Sequence, residues 1–545
     1  MRKRFILWWV LLLVVCHTAS ATVKPRRGRP AENDTNKEAE ATETHQGMRK
    51  VGLHSTAPLT SMGSPKVPVV LVQFSDVRFT SGLGTHVDAS GKEVKNRCET
   101  ADDEAQVHAF YDKFCNGEGE PDGYYKGAGS YGAIREYFRD QSGGLFTPQF
   151  VVLGPVTLDQ TCAYYGGNDG SRKDVNLSAF YRDAIRGAQL LYEDWNVFDN
   201  DADGTVDMAF FIFAGKGENG DGGKETIWPQ ERSSGGTING VGYGCYACCN
   251  EEYRGATDGI GVFVHELSHA LGLPDFYDTN YVAYGMDYWD VMDSGCYCDE
   301  SYTPCNYTAY ERDFMGWTPL VQLHATQPQR ITLIPMAAGG VGYKIVNPEN
   351  EDEYYVLENR QPSGWDTFMG RGTEERRMHG MMVTHVDYLR SAWVGNAVNT
   401  SRTHQRMVPL PADGELYSYM DVATADQQEQ FLQSAAGNLF PGAANVTELS
   451  GEAAYVYTST GETPHQMNQP LTDITENADG SITLTYMGTP SALNMLFANK
   501  KEQVAVYDLM GIQVGTTDIE HGKPTRLPVA TGVYLVDGKK FVVGK

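Results

Sequence analysis

The stretch HELSHALGLPDFYD, residues 265 to 278, has the residue types and spacing of a metal site. His265 and His269 are four residues apart, so on a helix they share one face and can direct both imidazoles at one ion. Glu266 is one step further round the helix, where its carboxylate can hold a water beside the metal without being a ligand. The pattern predicts zinc on a helix, and a catalytic zinc usually takes a third protein ligand.

The residues after His269 supply a candidate for that third ligand. Gly272 can end the helix in a left-handed conformation, and Pro274 carries the chain away from the helix axis. Asp275 then follows six residues after His269, within reach of the same ion. We expect Asp275 to complete the zinc shell, and Asp278 to lie in a supporting or solvent-facing turn. Without this context, the histidine pair would also fit an ordinary surface helix.

A methionine in a glycine-closed turn follows the histidine motif, in WDVMDSG at 289 to 295. Met292 alone would indicate a core residue, but after an extended zinc motif it predicts the turn beneath the metal. A gluzincin site is the alternative, with a glutamate on a later helix as third ligand. Its candidates, Glu300 and Glu311, lie in Cys- and Tyr-rich sequence without a clear helical pattern.

The chain resembles peptidase family M6, the immune inhibitor A type, in this motif and in several other segments. The family motif HExxHxxGxxD is followed by aromatic and acidic residues, as it is here. The resemblance spans roughly 66 to 445 and includes VPVVLVQFSD at 67–76, YGAIREYFRDQSGGLF at 131–146, YYG at 164–166 and ENRQ at 358–361. One departure is WPQ at 228–230, where a histidine is expected after the proline.

This resemblance implies an α+β metzincin-like catalytic domain with a mixed sheet and an active-site helix. It implies roles for five residues: zinc ligands His265, His269 and Asp275, general base Glu266, and Met292 beneath the metal. The implied activity is hydrolysis of protein substrates by a zinc-activated water, with Glu266 moving the proton. Tyr297 and His385 are weaker candidates for stabilising the oxyanion, and His385 also fits a structural role in a strand.

A second oxygen-rich loop occurs at 199 to 207, DNDADGTVD. Acidic residues at positions 1, 3, 5 and 9 with glycine at 6 match the first part of an EF-hand loop. Position 12 is Phe210, and a strand pattern follows instead of a helix. The predicted calcium ligands are Asp199, Asp201, Asp203, Asp207 and the backbone carbonyl of Thr205. Because carboxylates this close repel one another, a bound calcium is favoured over a solvated acidic turn.

The N-terminal 65 residues have the composition of export and processing segments. Residues 1–21 form a predicted signal peptide: a basic start, an apolar run from Phe5 to Cys16, and ASA at 19–21. The run is shorter than the ~20 residues of a spanning helix, so we expect no stable membrane span. Residues 22–65 are polar and predict a pro-segment or linker, and therefore a zymogen. Ordered structure is expected from Val67 onward.

Nine cysteines follow the predicted signal peptide. In an exported protein they predict disulfides, with bridges between the groups at 245–249 and 296–305 and one thiol left over. Half of a structural zinc site at Cys245 and Cys248 is the alternative.

Hydrophobic patterning divides the remaining chain into three parts. Residues 66–320, the predicted catalytic domain, carry strand patterns at 67–76 and 208–214 and helix patterns at 177–195 and 261–271. Residues 321–488 have short alternating strands and predict a β-rich, sandwich-like region that completes the peptidase module. Residues 489–545 predict a small C-terminal β-domain. VAVYDLMG at 504–511, GVYLV at 532–536 and the final KKFVVGK resemble the sorting domain of the type IX secretion system; one more small β-module is the alternative.

The formal net charge of −26 argues against nucleic acid and anionic membranes as partners and suits a protein that binds cations. We expect a secreted or cell-surface zinc endopeptidase, stabilised by calcium, whose partners are protein substrates and, through its tail, secretion machinery. The alternative is a surface-exposed, calcium-stabilised binding protein with a vestigial zinc site. Such a protein would have no need of Glu266.

Overall fold

A computed structural model gives the fold. It describes residues 51–53, 56–117, 130–232, 236–283, 285–324, 328–373, 376–415, 434–458, 461–489, 502–508, 513–520, 523–524, 529, 532–536 and 539–543. The predicted signal peptide and most of the predicted pro-segment lie outside the described residues. Within these ranges, no helix combines the length and apolar character needed to cross a membrane.

The N-terminal half is a mixed α/β unit. Its helices are α1 Ala101–Asn116, α2 Ile134–Gln141, α3 Cys162–Gly166, α4 Leu177–Leu191, α5 Gly261–Ala270 and α6 Ala309–Phe314. Its strands are β1 Lys66–Gln73, β2 Thr85–Val87, β3 Glu93–Lys95, β4 Gln149–Thr157, β5 Thr205–Lys216, β6 Gln230–Arg232, β7 Thr237–Ile238, β8 Val241–Tyr253 and β9 Ala256–Thr257. The predicted strands at 67–76 and 208–214 correspond to β1 and β5, and the predicted histidine helix is α5.

The main sheet has the strand order β4-β1-β5-β8-β6. The first four strands are parallel, and β6 runs antiparallel beside β8. Both faces are covered, which explains the continuous apolar runs in the sequence. In β1, Val69 and Leu71 face the core that α1 and α5 share, while Val70 and Val72 face the core of α4. The sheet therefore holds α5 against one of its faces.

Helix α4 ends at Leu191, which corrects the predicted helix over 177–195. Tyr192 is extended, and a 3-10 turn, Trp195–Phe198, follows. The Trp195 ring packs against Phe198 and Tyr243, with ring centroids 5.3 and 5.8 Å apart. Tertiary packing of this tryptophan thus outweighs the helical periodicity of the sequence.

Part of the chain before Val67 packs against the N-terminal half, within the stretch whose composition predicts a pro-segment or linker. Leu53 and Leu59 are buried, and their N–H groups donate to the carbonyls of Gly272 and Ala270, at 2.8 and 3.1 Å. These two leucines are isolated in a polar stretch, so average composition conceals them. Residues 51–53 and 56–61 thereby cover the C-terminal end of α5.

The second half contains two further sheets and a hairpin. Its strands are β10 Val321–Gln322, β11 Gln329–Leu333, β12 Tyr343–Asn347, β13 Asn350–Arg360, β14 Gly380–Asp387, β15 Met407–Pro409, β16 Tyr455–Thr458, β17 Gly461–Gln466, β18 Leu471–Glu476 and β19 Ile482–Tyr486; its short helix is α7 Arg390–Val394. The sheets have the orders β10-β12-β13-β14-β15 and β11-β19-β18, and they share one apolar core.

Residues of β13 and β14 on the opposite face, such as Val356 and Met382, join the core that contains α5. The β-rich half therefore supports the same core as the helix.

The described part of the C-terminal tail forms one antiparallel sheet in the order β22-β21-β20-β23-β24. These strands are β20 Glu502–Asp508, β21 Gln513–Glu520, β22 Lys523–Pro524, β23 Gly532–Val536 and β24 Lys539–Val543. They pair with one another.

The structure contains none of the predicted disulfides, because all nine cysteines after the predicted signal are buried thiols. Along β8, Cys245 and Cys249 face the core that also holds the 296–305 cysteines, whereas Cys248 faces the core on the other side of the sheet. Cys248 cannot bridge to that group through the sheet, and Cys245 and Cys248 cannot chelate one ion together. The thiols pack as small apolar groups.

Candidate metal centre

Helix α5 carries both predicted zinc histidines in the protein interior, where every residue of the helix is buried. Phe263 stacks on Phe210 of the central strand, with ring centroids 3.6 Å apart, which fixes the helix on the sheet. The rings of His265 and His269 have centroids 4.9 Å apart. Gly272, with φ at +102°, then adopts a conformation that favours glycine and turns the chain back toward the histidines.

Three ligand atoms converge on one point. The Oδ1 atom of Asp275 lies 3.1 Å from Nε2 of His265 and 3.3 Å from Nε2 of His269. A tetrahedral zinc with nitrogen and oxygen ligands at about 2.0–2.1 Å keeps its ligand atoms roughly 3.3 Å apart. The spacing of the three atoms therefore fits zinc.

Both imidazoles are oriented by backbone carbonyls. Nδ1 of His265 lies 2.8 Å from the carbonyl oxygen of Val291, and Nδ1 of His269 lies 2.8 Å from that of Leu273. A carbonyl can only accept, so each Nδ1 carries a proton, and each Nε2 is the ring atom that is left to bind a metal.

The Asp275 carboxylate is held by Asn396. The Nδ2 group of Asn396 donates to Oδ2 of Asp275 at 2.6 Å, and the N–H of Asp275 donates to Oδ1 of Asn396 at 2.7 Å. This double contact leaves Oδ1 of Asp275 directed at the histidines. Asn396 is therefore a positioning residue for the predicted third ligand.

The electrostatics of the group favour positive charge between these atoms. Burial lowers the pKa of His265, and Asp275 only partly opposes that shift. Burial also acts to lower the pKa of His269, but the Asp275 carboxylate outweighs it and raises this pKa to about 9. Although burial acts to raise the pKa of Asp275, the two histidines hold it well below its usual range. Two imidazole nitrogens and a carboxylate oxygen also form a donor set that zinc accepts.

Glu266 is buried beside the metal group but is not part of it. The backbone of Glu231 contributes a hydrogen bond that favours the charged form of this carboxyl group. Burial raises the pKa of Glu266 well above its usual range, while His269 opposes that shift and Asp275 adds to it. Glu266 is thus a buried ionisable group beside the candidate metal ligands.

The turn that contains Met292 connects the two ligand-bearing segments. The Met292 carbonyl accepts from the N–H of Phe276 at 2.9 Å, and the preceding carbonyl, of Val291, holds His265. Within the turn, Asp290 accepts from the N–H of Met292 at 2.7 Å. Arg360, fully buried, donates to the carbonyl of Trp289 at 3.1 Å and pairs with carboxylates of the second half. The second half thus braces this turn.

Asp278 lies outside the metal group. Its Oδ1 accepts from the N–H of Asn280 at 2.9 Å, and its Oδ2 accepts from the N–H groups of Val282 and Ala283 at 2.8 and 2.7 Å. Both oxygens are therefore used to close a turn.

The other candidates are also separate from the described metal group. Glu311 caps α6 through Thr308, and Glu300 is exposed. His385 lies in β14, buried 2.8 Å from Glu353, and this is a structural position. Tyr297 stacks on Tyr253 with centroids 5.7 Å apart.

Sequence reasoning missed three residues near the ligands. Asn396 is 121 residues from Asp275 and has no local signal. Burial raises the pKa of Tyr277 well above its usual range, and the charges of Asp275 and Glu266 add to this shift. Tyr277 is therefore close enough to sense both carboxylates. The charge of Glu231, in β6, contributes to the raised pKa of both Glu266 and His269.

Gln230, which stands after the proline of WPQ where a histidine is expected, has a structural role at the start of β6. Gln230 donates through Nε2 to Oδ2 of Asp174 at 3.1 Å and to the carbonyl of Trp228 at 3.0 Å. Gln230 therefore fixes the start of β6.

The predicted calcium loop brings three of its four carboxylates together. Ligand atoms of Asp199, Asp201 and Asp207 lie within 4.8 Å of one another. Asp203 is not in this group; its Oδ1 accepts from the N–H of Thr205 at 2.7 Å. Burial raises the pKa of Asp207 to about 6 despite two hydrogen bonds from Asn200. Three oxygens at this spacing suit a hard cation.

The buried helix with two histidines, the converging carboxylate and the adjacent glutamate form a group that could hold a metal ion. Residues 56–318 match the family model described as the catalytic domain of immune inhibitor A peptidase M6. This segment is therefore similar to a metalloendopeptidase catalytic domain of the peptidase M6 family.

Two relatives are similar over part of the chain. The pre-pro-metalloprotease PrtV of Vibrio cholerae serotype O1 is 27% identical over 214 residues, which cover 34% of this chain and 23% of the relative. Immune inhibitor A of Bacillus thuringiensis subsp. alesti is 27% identical over 229 residues, 35% of this chain and 33% of the relative. The chain therefore spans a third or less of the length of these curated relatives.

Proposed function

We propose that the protein is a secreted zinc-dependent endopeptidase of metzincin type that hydrolyses protein substrates. One observation carries the proposal: two imidazole nitrogens and one carboxylate oxygen meet at zinc-like distances with a buried glutamate beside them. His265, His269 and Asp275 would hold the metal, and Met292 would lie beneath it. The arrangement differs from a gluzincin site because the carboxylate follows the helix directly.

Zinc, when bound, supplies a Lewis acid that polarises the peptide carbonyl and lowers the pKa of a coordinated water. Glu266 accepts a proton from the attacking water and returns it to the leaving amine. Burial suits both roles, because the raised pKa of Glu266 lets the carboxyl group hold a proton between the two steps. The peptide bond is cleaved without a covalent enzyme intermediate.

Strand β6 supports the approach of an extended substrate. It lies antiparallel beside β8, ends the described strand order of the main sheet, and contacts α5. Backbone groups along such a strand can pair with a peptide in extended conformation. A substrate on this edge would pass beside Glu266 and the metal group.

A calcium ion would stabilise the start of β5. Its ligands would be Asp199, Asp201 and Asp207, with Asp203 and the carbonyl of Thr205 as further predicted ligands.

Export through the predicted signal peptide and release of a pro-segment complete the proposal. One relative is named a pre-pro-metalloprotease, a description that parallels this arrangement. The tail would direct the chain to type IX secretion.

The test compares wild-type protein with Glu266→Gln in the same preparation. We expect both to contain stoichiometric zinc, and we expect casein hydrolysis to fall by about 10²–10⁴-fold in the variant. A chelator should abolish the wild-type activity, and added zinc should restore it. The matched control is Glu193→Gln, at an exposed position.

Full activity of Glu266→Gln would remove Glu266 as the base. Stoichiometric zinc without hydrolysis of any protein substrate would favour the calcium-stabilised binding protein instead.

A further inference from the structure

Residues 51–53 lie against the turn that follows α5. Leu53 is buried, and its N–H donates to the carbonyl oxygen of Gly272 at 2.8 Å. That oxygen belongs to the peptide unit between Gly272 and Leu273, whose N–H donates to the carbonyl of Ser268 at 3.2 Å. Helix α5 therefore holds one side of this peptide unit, and Leu53 holds the other.

This peptide unit adjoins the group that orients a predicted zinc ligand. The carbonyl oxygen of Leu273 lies 2.8 Å from Nδ1 of His269. Asp275, which supplies the converging carboxylate oxygen, follows two residues later. A shift of the Gly272 carbonyl would therefore disturb both the carbonyl that sets the His269 ring and the chain that leads to Asp275. Losing the groups that orient a ligand weakens metal binding.

The close approach of residue 52 to the turn requires a glycine. A Cβ atom at Gly52 would overlap the carbonyl oxygen of Gly272 and would lie 2.5 Å from Cζ of Phe314. Real Cβ atoms do not come this close to other atoms, so a side chain at residue 52 would force the two backbone segments apart. The absence of a side chain thus keeps Leu53 within hydrogen-bond distance of the turn.

Two further contacts hold this part of the chain in place. The carbonyl of Val51 accepts from the hydroxyl of Tyr388 at 2.7 Å, directly after β14. Leu59 is buried, and its N–H donates to the carbonyl of Ala270 at 3.1 Å. These contacts fix the turn through backbone groups, and the three predicted ligand atoms still face one another.

We propose that residues 51–53 remain in the mature protein and position the turn between the predicted zinc ligands. The inference rests on the proposed function and deepens it. Gly52 and Leu53 are positioning residues, because they fix the Gly272 carbonyl beside the group that orients His269. Release of a pro-segment would then stop before Val51, within the stretch 22–65 whose composition predicts a pro-segment or linker.

The test measures the zinc affinity of the full chain by competition with a chromophoric chelator. We expect Gly52→Ala to lower the affinity about 10-fold or more, because groups that orient a ligand have effects of this size. One control is Gly236→Ala, at an exposed glycine where a Cβ atom would meet nothing within 4 Å. The other is Ser61→Ala, which removes a hydrogen bond to the carbonyl of Met315. Both controls should bind zinc as the wild type does.

Two further readouts separate positioning from a general loss of stability. The visible absorption bands of the cobalt(II)-loaded protein depend on ligand geometry, and we expect them to shift in Gly52→Ala but not in Ser61→Ala. Tyr388→Phe keeps the ring that packs against Trp393 and removes the hydroxyl that holds Val51. This variant should lower the zinc affinity roughly 2- to 10-fold, the effect of losing one hydrogen bond. It tests the inference even if Gly52→Ala does not fold.

The N-terminus of the mature protein gives a measurement without variants. Intact mass of the zinc-containing protein from its native source should show a chain that begins at or before Val51. A mature chain that begins after Val51, or wild-type zinc affinity in both Gly52→Ala and Tyr388→Phe, would overturn the inference. If the wild-type protein itself binds no zinc, the proposed function fails, so the two failures are distinguishable.

Discussion

Asp275 is the residue on which the assignment of the metal centre depends most. One of its carboxylate oxygens accepts from Asn396, and the other faces both histidines at 3.1 and 3.3 Å. Asp278, three residues later, gives both oxygens to backbone N–H groups. The two aspartates thus have different roles that a metal analysis can separate.

We expect Asp275→Ala to purify largely without zinc and without activity, because it removes a ligand. Asp278→Ala should retain stoichiometric zinc, since it only loosens the turn at 278–283. The zinc-to-protein ratio from elemental analysis measures the difference. Zinc retained in Asp275→Ala and lost in Asp278→Ala would overturn the proposed ligand set.

We expect Asn396→Ala to weaken zinc binding by about 10–100-fold, because groups that orient a ligand have effects of this size. Competition with a chromophoric chelator gives the affinity. The matched control is Asn399→Ala, which removes hydrogen bonds to the carbonyls of Phe276 and Met407 but touches no ligand side chain. Equal affinities for both variants would mean that Asn396 does not position Asp275.

At this scale, local spacing allowed much of the site to be predicted. The pair His265 and His269 follows from helix geometry, and Asp275 follows from the turn at Gly272. Asn396 could not be predicted, because a hydrogen bond across 121 residues leaves no periodic signal.

At the scale of elements, the loop before β5 is the clearest case for a structural ion. Asn200 donates to both Asp207 oxygens and also exchanges hydrogen bonds with the backbone of Lys66, so the loop contacts the start of β1. A cation in this loop would hold two neighbouring strands together. Its removal should therefore affect the stability of the sheet.

We expect Asp201→Ala, or removal of calcium with zinc supplied again, to lower the melting temperature by a few degrees. Glu193→Ala, at an exposed acidic position outside the loop, is the control and should leave the melting temperature unchanged. Differential scanning calorimetry at defined calcium concentrations measures both. No shift in either condition would indicate a loop that is only solvated.

The elements themselves were predictable where the pattern is strong and local. Strands β1 and β5 have continuous apolar runs because both sheet faces are covered. The end of α4 was not predictable, since the Trp195 ring leaves the helix to pack in the core. The cysteine groups suggested disulfides, but Cys245 and Cys248 face opposite sides of one strand.

At the scale of the whole molecule, the tail differs from the rest in its strand pairing. Its five described strands pair with one another, whereas the two halves of the peptidase region share a core. Removal of the tail should therefore leave the metal centre folded. This separation makes the sorting hypothesis testable.

In a host with type IX secretion, we expect deletion of residues 490–545 to leave a folded protein in the periplasm. Immunoblots of cell fractions locate the protein, and a melting curve of the truncated form checks its fold. Normal amounts of truncated protein outside the cell would contradict the sorting role and favour one more β-module.

Residues 51–53 and 56–61 have a consequence for the order in which the fold is completed. Ser61 contacts Met315 across 254 residues, and Val51 accepts from the Tyr388 hydroxyl across 337. Contacts so distant along the chain form slowly, because long loops must close first. A nascent chain that has not yet reached residue 396 also lacks the side chain that orients Asp275. Completion of the proposed metal centre therefore requires synthesis of the chain through residue 396.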